Sequence, residues 1–122
     1  MSNTLPPIAE LRKIAERELR KSGLDVSYWG IEVVSKCVCP IDPTLEVCGY
    51  CTGAGLIRIG VAAHTKGFAD FMDTILHELA HAFALEESGI SEHDETWIRH
   101  CKRLGAEWKS HVGRPNCVDR KR

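Results

Sequence analysis

Nowhere in this sequence is there an uninterrupted apolar run of membrane-spanning length, and the first 22 residues carry eight charges with no apolar stretch of the kind that opens a secretory leader. These two absences argue against a helical membrane protein and an exported one, so an intracellular setting with no membrane partner is expected. Low-complexity segments and internal repeats are missing as well, which argues against a disordered chain and a solenoid. What is present is ordinary globular material: 122 residues, 43% hydrophobic and 27% charged. That length supports one hydrophobic core and leaves little for a second, so a single domain over residues 1–113 is expected, followed by a short basic tail over 114–122.

The net charge of -1 conceals an uneven distribution. Residues 1–22 hold five basic and three acidic side chains, residues 23–98 three and twelve, and residues 99–122 eight and two. A basic C-terminal block can attract phosphate backbones, although a solvated face on a terminal helix has the same composition.

Hydrophobic periodicity organises the rest. Ile8, Leu11, Ile14, Ala15 and Leu19 recur at three- and four-residue steps, preceded by two prolines and closed by Gly23, which predicts an amphipathic first helix. Between Val26 and Val34, Trp29, Ile31 and Val33 alternate onto one face, and Leu56, Ile57, Ile59 and Val61 form a second apolar run. Two strands, paired as a hairpin, are the expectation, with the Cys-, Pro- and Gly-rich segment between them read as loop. From about Phe68 to Glu87 neither Pro nor Gly interrupts a second helix, which Gly89 ends. The polar SEHDE then leads into a third helix, with Trp97, Cys101, Leu104 and Trp108 in a narrow arc and Arg99, Lys102, Arg103 and Lys109 opposite.

The second helix contains HELAH, the pattern HExxH. His77 and His81 are four residues apart, hence about 40° apart around a helix and one turn above each other, so both imidazoles can reach one ion. Glu78 emerges beside them, placed to accept a proton from water rather than to ligate. A shuffled chain of this composition shows the pattern only roughly 0.03 times. Two exposed helix histidines would be the bland explanation, but the apolar face around these and a further histidine just beyond the helix end favour a metal site. A catalytic zinc site needs a third protein ligand and an open position. His93 fits best, since the eleven residues after His81 allow the helix to end, turn at Gly89 and return. His100 and the carboxylates Glu86, Glu87, Glu92 and Glu95 are alternatives; His64 reads as a loop histidine.

HELAHA, a linker and then HDETW from His93 to Trp97 together resemble the SprT-like zinc metallopeptidase domain, whose relatives include the Spartan protease. The resemblance spans roughly Ile8 to Trp108. It implies an α+β, minimal zincin-like fold: an N-terminal helix, a small antiparallel β segment with the Cys-rich loop, the HExxH helix and a C-terminal helix. It further implies zinc held by His77, His81 and His93, Glu78 as general base, and protein substrates bound or crosslinked to DNA. Where family members often carry Gly after the third histidine, this chain has Asp94, and of the C-terminal zinc ribbon that many members possess only Cys117 has a counterpart.

Cys37, Cys39, Cys48 and Cys51 have the spacing C-x-C-x8-C-x2-C, for which a second, structural zinc is one reading and reduced loop cysteines or a disulfide are others. Thiol catalysis is not expected, for no base is paired with them in sequence. Cys101 reads as a core residue of the third helix and Cys117 as a tail thiol. Trp97 reads as a core anchor that orients the His93 loop. Two functions compete with peptide hydrolysis: a zinc-stabilised DNA-associated module without activity, using Arg99, Lys102, Arg103 and Lys109, and a hydrolase of small amides.

Overall fold

The computed structural model describes residues 4–114; Cys117 and nearly all of the basic tail lie outside the described residues. Three α-helices and five short strands follow one another: α1 (Ile8–Ser22), β1 (Gly30–Val34), β2 (Val38–Cys39), β3 (Asp42–Glu46), β4 (Gly49–Thr52), β5 (Leu56–Gly60), α2 (Phe68–Ser88) and α3 (Glu95–Leu104), with a 3-10 turn over Lys109–His111. The class is mixed α+β.

β1, β5 and β4 form a three-stranded sheet in that order, and β2 and β3 form a separate two-stranded ribbon. The expected hairpin between the two apolar runs is not what forms. β1 and β5 pair in parallel, Ile31 opposite Ile57 and Val33 opposite Ile59, while the antiparallel partner of β5 is β4, drawn from the segment read as loop. The apolar runs do yield strands, though shorter ones, since residues 26–28 form a turn ahead of β1 and Val61 lies just past β5; their direction is set by the intervening chain, which contributes three strands of its own before returning. A parallel pair needs such a connection, whereas a direct hairpin does not.

Alternation along the sheet divides it into two faces. Trp29, Ile31, Val33, Cys51, Ile57 and Ile59 point into the main core, where they meet Leu11, Ala15 and Leu19 of α1 and Phe71, Ile75, Leu79, Ala82 and Leu85 of α2. Burying each of the large aliphatic or aromatic side chains contributes about 1.5–3 kcal/mol. On the other face Glu32, Tyr50 and Arg58 form a polar cluster, with Arg58 Nε donating to Glu32 at 2.8 Å and Nη1 to the Tyr50 hydroxyl at 2.6 Å.

The central helix is α2. Its second buried stripe, toward α3, packs Ala80 against Trp97, Cys101 and Ala106. Cys101 thus sits in the core as expected, its thiol pushed up to about 12 by burial. α2 ends at Gly89, whose left-handed φ of 77° lets its N–H close on the Leu85 carbonyl at 2.8 Å and turns the chain back toward α3. α3 is shorter than its apolar arc suggests: Gly105 caps it after Leu104, so Trp108 and Lys109 lie beyond its end. No helix among the described residues is long and apolar enough to cross a membrane.

Candidate metal centre

Two consecutive turns of α2 bring His77 and His81 onto the side facing α3, and the Gly89 turn returns the chain so that His93 comes down beside them. Ring centroids of the three lie 4.9 Å (His77–His81), 5.2 Å (His77–His93) and 5.0 Å (His81–His93) apart. The Nε2 atoms of His77 and His93 are 3.3 Å apart. Nitrogens bound tetrahedrally to zinc at about 2.0–2.1 Å stand about 3.3 Å from each other, with ring centres about 5 Å apart. The donor chemistry and these ring separations suit zinc, and the His77–His93 pair stands at ligand spacing.

The surroundings fix these rings. Nδ1 of His93 lies 2.8 Å from the Arg114 carbonyl, which can only accept, so the proton is on Nδ1 and Nε2 keeps its lone pair. Nδ1 of His81 lies 2.5 Å from the Ser91 hydroxyl, an arrangement that serves the same tautomer. Such outer partners hold a ligating imidazole in orientation. Trp97, 0% exposed, forms the floor, its ring 4.9 Å from that of His77, 5.2 Å from His81 and 4.6 Å from His93. Its Nε1 donates to the His77 carbonyl at 3.3 Å.

Asp94 is the N-cap of α3 and accepts from the Trp97 N–H at 3.3 Å. Through this cap it fixes the start of the helix that carries Trp97, and so links the His93 loop to the floor of the site.

Burial sets the electrostatics. The imidazole of His77 is held down to about 3, first by loss of solvent and then by the neighbouring His111 and His93. His81 is driven well below its ordinary value by burial, reinforced by His77 and His93, and His93 is lowered by burial against the opposing pull of the Arg114 carbonyl. Neutral imidazole is the form that ligates. Glu78, 5% exposed, places a carboxylate oxygen within 4.8 Å of ligand atoms of both His77 and His81.

Sequence reasoning does not reach His111. Its ring lies 4.6 Å from that of His77 and 5.4 Å from that of His93, and ligand atoms of His77, His93 and His111 fall within 4.8 Å of one another. No helical spacing signals it, because it comes after α3, across the Gly105 break. The alternatives for the third ligand are engaged elsewhere or exposed. His100 faces Glu87 at 2.9 Å and stacks on Phe83, Glu86 accepts from Trp29 Nε1 at 2.7 Å, and Glu92 and Glu95 are exposed. His64 is more than a loop residue: buried, it joins the Gly60 carbonyl at 2.6 Å to the Thr74 hydroxyl at 2.8 Å, tying β5 to α2.

The cysteines behave differently. Among the described residues, the groups of three or more side chains able to hold a metal are His77–His93–His111 and His77–Glu78–His81, and neither includes a cysteine. Cys51 points into the main core, while Cys37 packs on the opposite face with Tyr50, Val34 and Val47. Cys37 lies so close to β5 that a Cβ on Gly60 would meet its Cβ at 2.6 Å. Cys39 is buried and Cys48 exposed, and none of the four is joined in a disulfide among the described residues. Among the described residues no tetrathiolate forms: Cys37 has Cys39 and Cys48 as electrostatic neighbours, whereas Cys51 points from β4 into the main core. Burial pushes the Cys37 thiol up to about 11, which leaves it protonated and a poor nucleophile near neutrality.

The basic residues are partly spent within the fold. Arg99 is a bidentate partner of Glu87, at 3.1 and 2.6 Å, and the Arg103 guanidinium covers Phe83 at 4.4 Å. Lys102 and Lys109, in contrast, approach Trp108 with their ammonium groups 4.9 and 5.8 Å from its ring. Comparison of this chain with protein-family models, with curated proteins and with solved structures finds no match.

Proposed function

We propose that the protein is a zinc-dependent metallopeptidase of SprT-like type, with a minimal zincin-like fold. The observation that carries this is the convergence of the His77, His81 and His93 rings, at centroid separations of 4.9 to 5.2 Å, with the Glu78 carboxylate beside His77 and His81. A zinc ion held by these three imidazoles would supply Lewis-acid polarisation of a scissile carbonyl and a water of lowered pKa. The chain's own part is then proton transfer and positioning. Glu78 accepts the proton of the attacking water on its carboxylate and returns it to the departing amine nitrogen. Trp97 and Asp94 keep the His93 loop in register with α2, and Ser91 and the Arg114 carbonyl hold His81 and His93 in orientation.

The proposed substrates are proteins associated with or crosslinked to DNA. Supporting this, Lys102 and Lys109 flank the half-buried Trp108, and their ammonium groups are turned to its ring rather than to a carboxylate in the described contacts. Cations around an aromatic ring suit a nucleic-acid strand, which offers phosphates to the one and bases to the other.

The test is degradation of an unfolded protein by the zinc-loaded enzyme, with and without DNA, compared with Glu78→Gln. The expected result is turnover that DNA stimulates and that falls by about 100-fold or more in the variant while zinc is retained. Equal turnover by the variant would remove Glu78 from its role. Salt-sensitive DNA binding without cleavage of any substrate would favour an inactive binding module, and cleavage of small amides alone a different hydrolase.

A further inference from the structure

The segment after α3 does more than close the chain. Trp108 leads into the Lys109–His111 turn, and residues 111–114 then run back across the histidines. Two contacts fasten this strap to His93, the Arg114 carbonyl accepting from His93 Nδ1 at 2.8 Å and the Gly113 N–H approaching the His93 carbonyl at 3.5 Å, while the Arg114 N–H closes the strap on its own His111 carbonyl at 2.9 Å. The strap that orients the third ligand thereby also sets the imidazole of His111 at the His77–His93 edge, 4.6 and 5.4 Å from their rings.

We propose that His111 is a fourth imidazole donor of the metal centre, delivered by the 109–114 strap and occupying in the resting protein the coordination position that a substrate needs. The inference rests on the metal-centre reading above. Three histidines leave a four-coordinate zinc one open position, normally filled by water. A tethered imidazole with a ligand atom within 4.8 Å of those of His77 and His93 competes with that water at high effective concentration. In this same position the carboxylate of Glu107, held by the Ser110 N–H at 2.8 Å and hydroxyl at 2.6 Å, stands 3.5 Å from His111 Nε2 and serves as an outer partner of the ring. With a metal bound, the chain itself would close the fourth position until a carbonyl or water took the place of a neutral nitrogen, an exchange of one two-electron donor for another with no net proton change.

The test uses cobalt(II) bound to the full chain, whose visible bands report the donor set without any assay of activity. Wild type, His111→Ala and His111→Phe are compared, together with their zinc affinities. Expected are a wild-type spectrum of a four-nitrogen site, bands moved to lower energy in both variants as oxygen replaces nitrogen, and zinc binding weakened by about tenfold or more. Added imidazole should return the His111→Ala spectrum toward wild type. His111→Phe keeps a ring in the strap, so a wild-type spectrum and affinity in that variant would overturn the proposal, as would identical spectra and affinities in all three proteins. Failure of the wild type itself to take up cobalt would overturn the metal-centre reading together with this one, and is recognised before any substitution is made.

Discussion

Two regions of this chain look alike in sequence and unlike in space. The segment from Cys37 to Cys51 and the segment from His77 to His93 each carry soft or borderline metal donors at suggestive spacing. In the helical region the spacing of four returns both histidines to the same side of α2, and the Gly89 turn adds His93 at ring separations of 5.2 and 5.0 Å. In the strand region neighbouring positions face opposite ways, so Tyr50 joins Cys37 on one side while Cys51 joins Ile57 on the other. A helix gathers its donors by period, whereas of the four thiols only Cys39 and Cys51 lie in strands, and those strands belong to different sheets.

The sharpest contrast between the regions should appear under acid. In the unfolded chain an imidazole titrates near 6.5, whereas in the folded, metal-free protein burial keeps His77 neutral down to about 3. Unfolding therefore takes up protons below pH 6.5, so this histidine's contribution to stability is complete above 6.5 and is lost as the pH falls from 6.5 toward 3. His81 and His93 act in the same direction. Denaturant unfolding of the metal-free protein across that window should show the decline, and a flat profile would mean that the histidines are more solvated than described.

Next in size is the loss of the floor. Trp97→Ala removes a wholly buried indole that touches all three histidine rings, and should cost about 3–5 kcal/mol in chemical denaturation. A cost below about 1 kcal/mol would contradict its place in the core. Smaller effects separate the cysteines. Cys51→Ser puts a hydroxyl into the main core and should cost about 1–3 kcal/mol, while Cys48→Ser, at an exposed site, should stay within about 0.5 kcal/mol. Equal losses accompanied by release of a metal equivalent would restore the tetrathiolate and undo the contrast.

Much of the architecture is legible in the sequence for a physical reason: helices are local. The periodic Ile8, Leu11, Ile14 and Leu19 define α1, and the uninterrupted run to Glu87 with its terminal Gly89 defines α2 almost to the residue. The face shared by His77 and His81 follows from helical geometry alone, and His93 from the need for a return. Sheet pairing is non-local, so the apolar runs at Ile31 and Ile57 can be seen as strands while their parallel register cannot. β4 is hidden for the same reason, its Tyr50 and Cys51 lying among turn-forming residues. His111 is hidden by Gly105, which breaks the period of α3, so that no spacing rule ties residues beyond the break to α2. The same break takes Lys109 off the helical face on which periodicity sets it. The only clue to His111 is that it is one of six histidines and no other feature uses it.

Whether the helical region, and not the cysteine segment, forms a metal centre is tested most directly by native mass spectrometry of bound zinc, with wild type and His81→Ala measured side by side. The wild type should carry a zinc equivalent that the variant lacks, with none left on the cysteines. Equal zinc in both proteins would contradict this and leave HELAH as a helix that merely displays histidines.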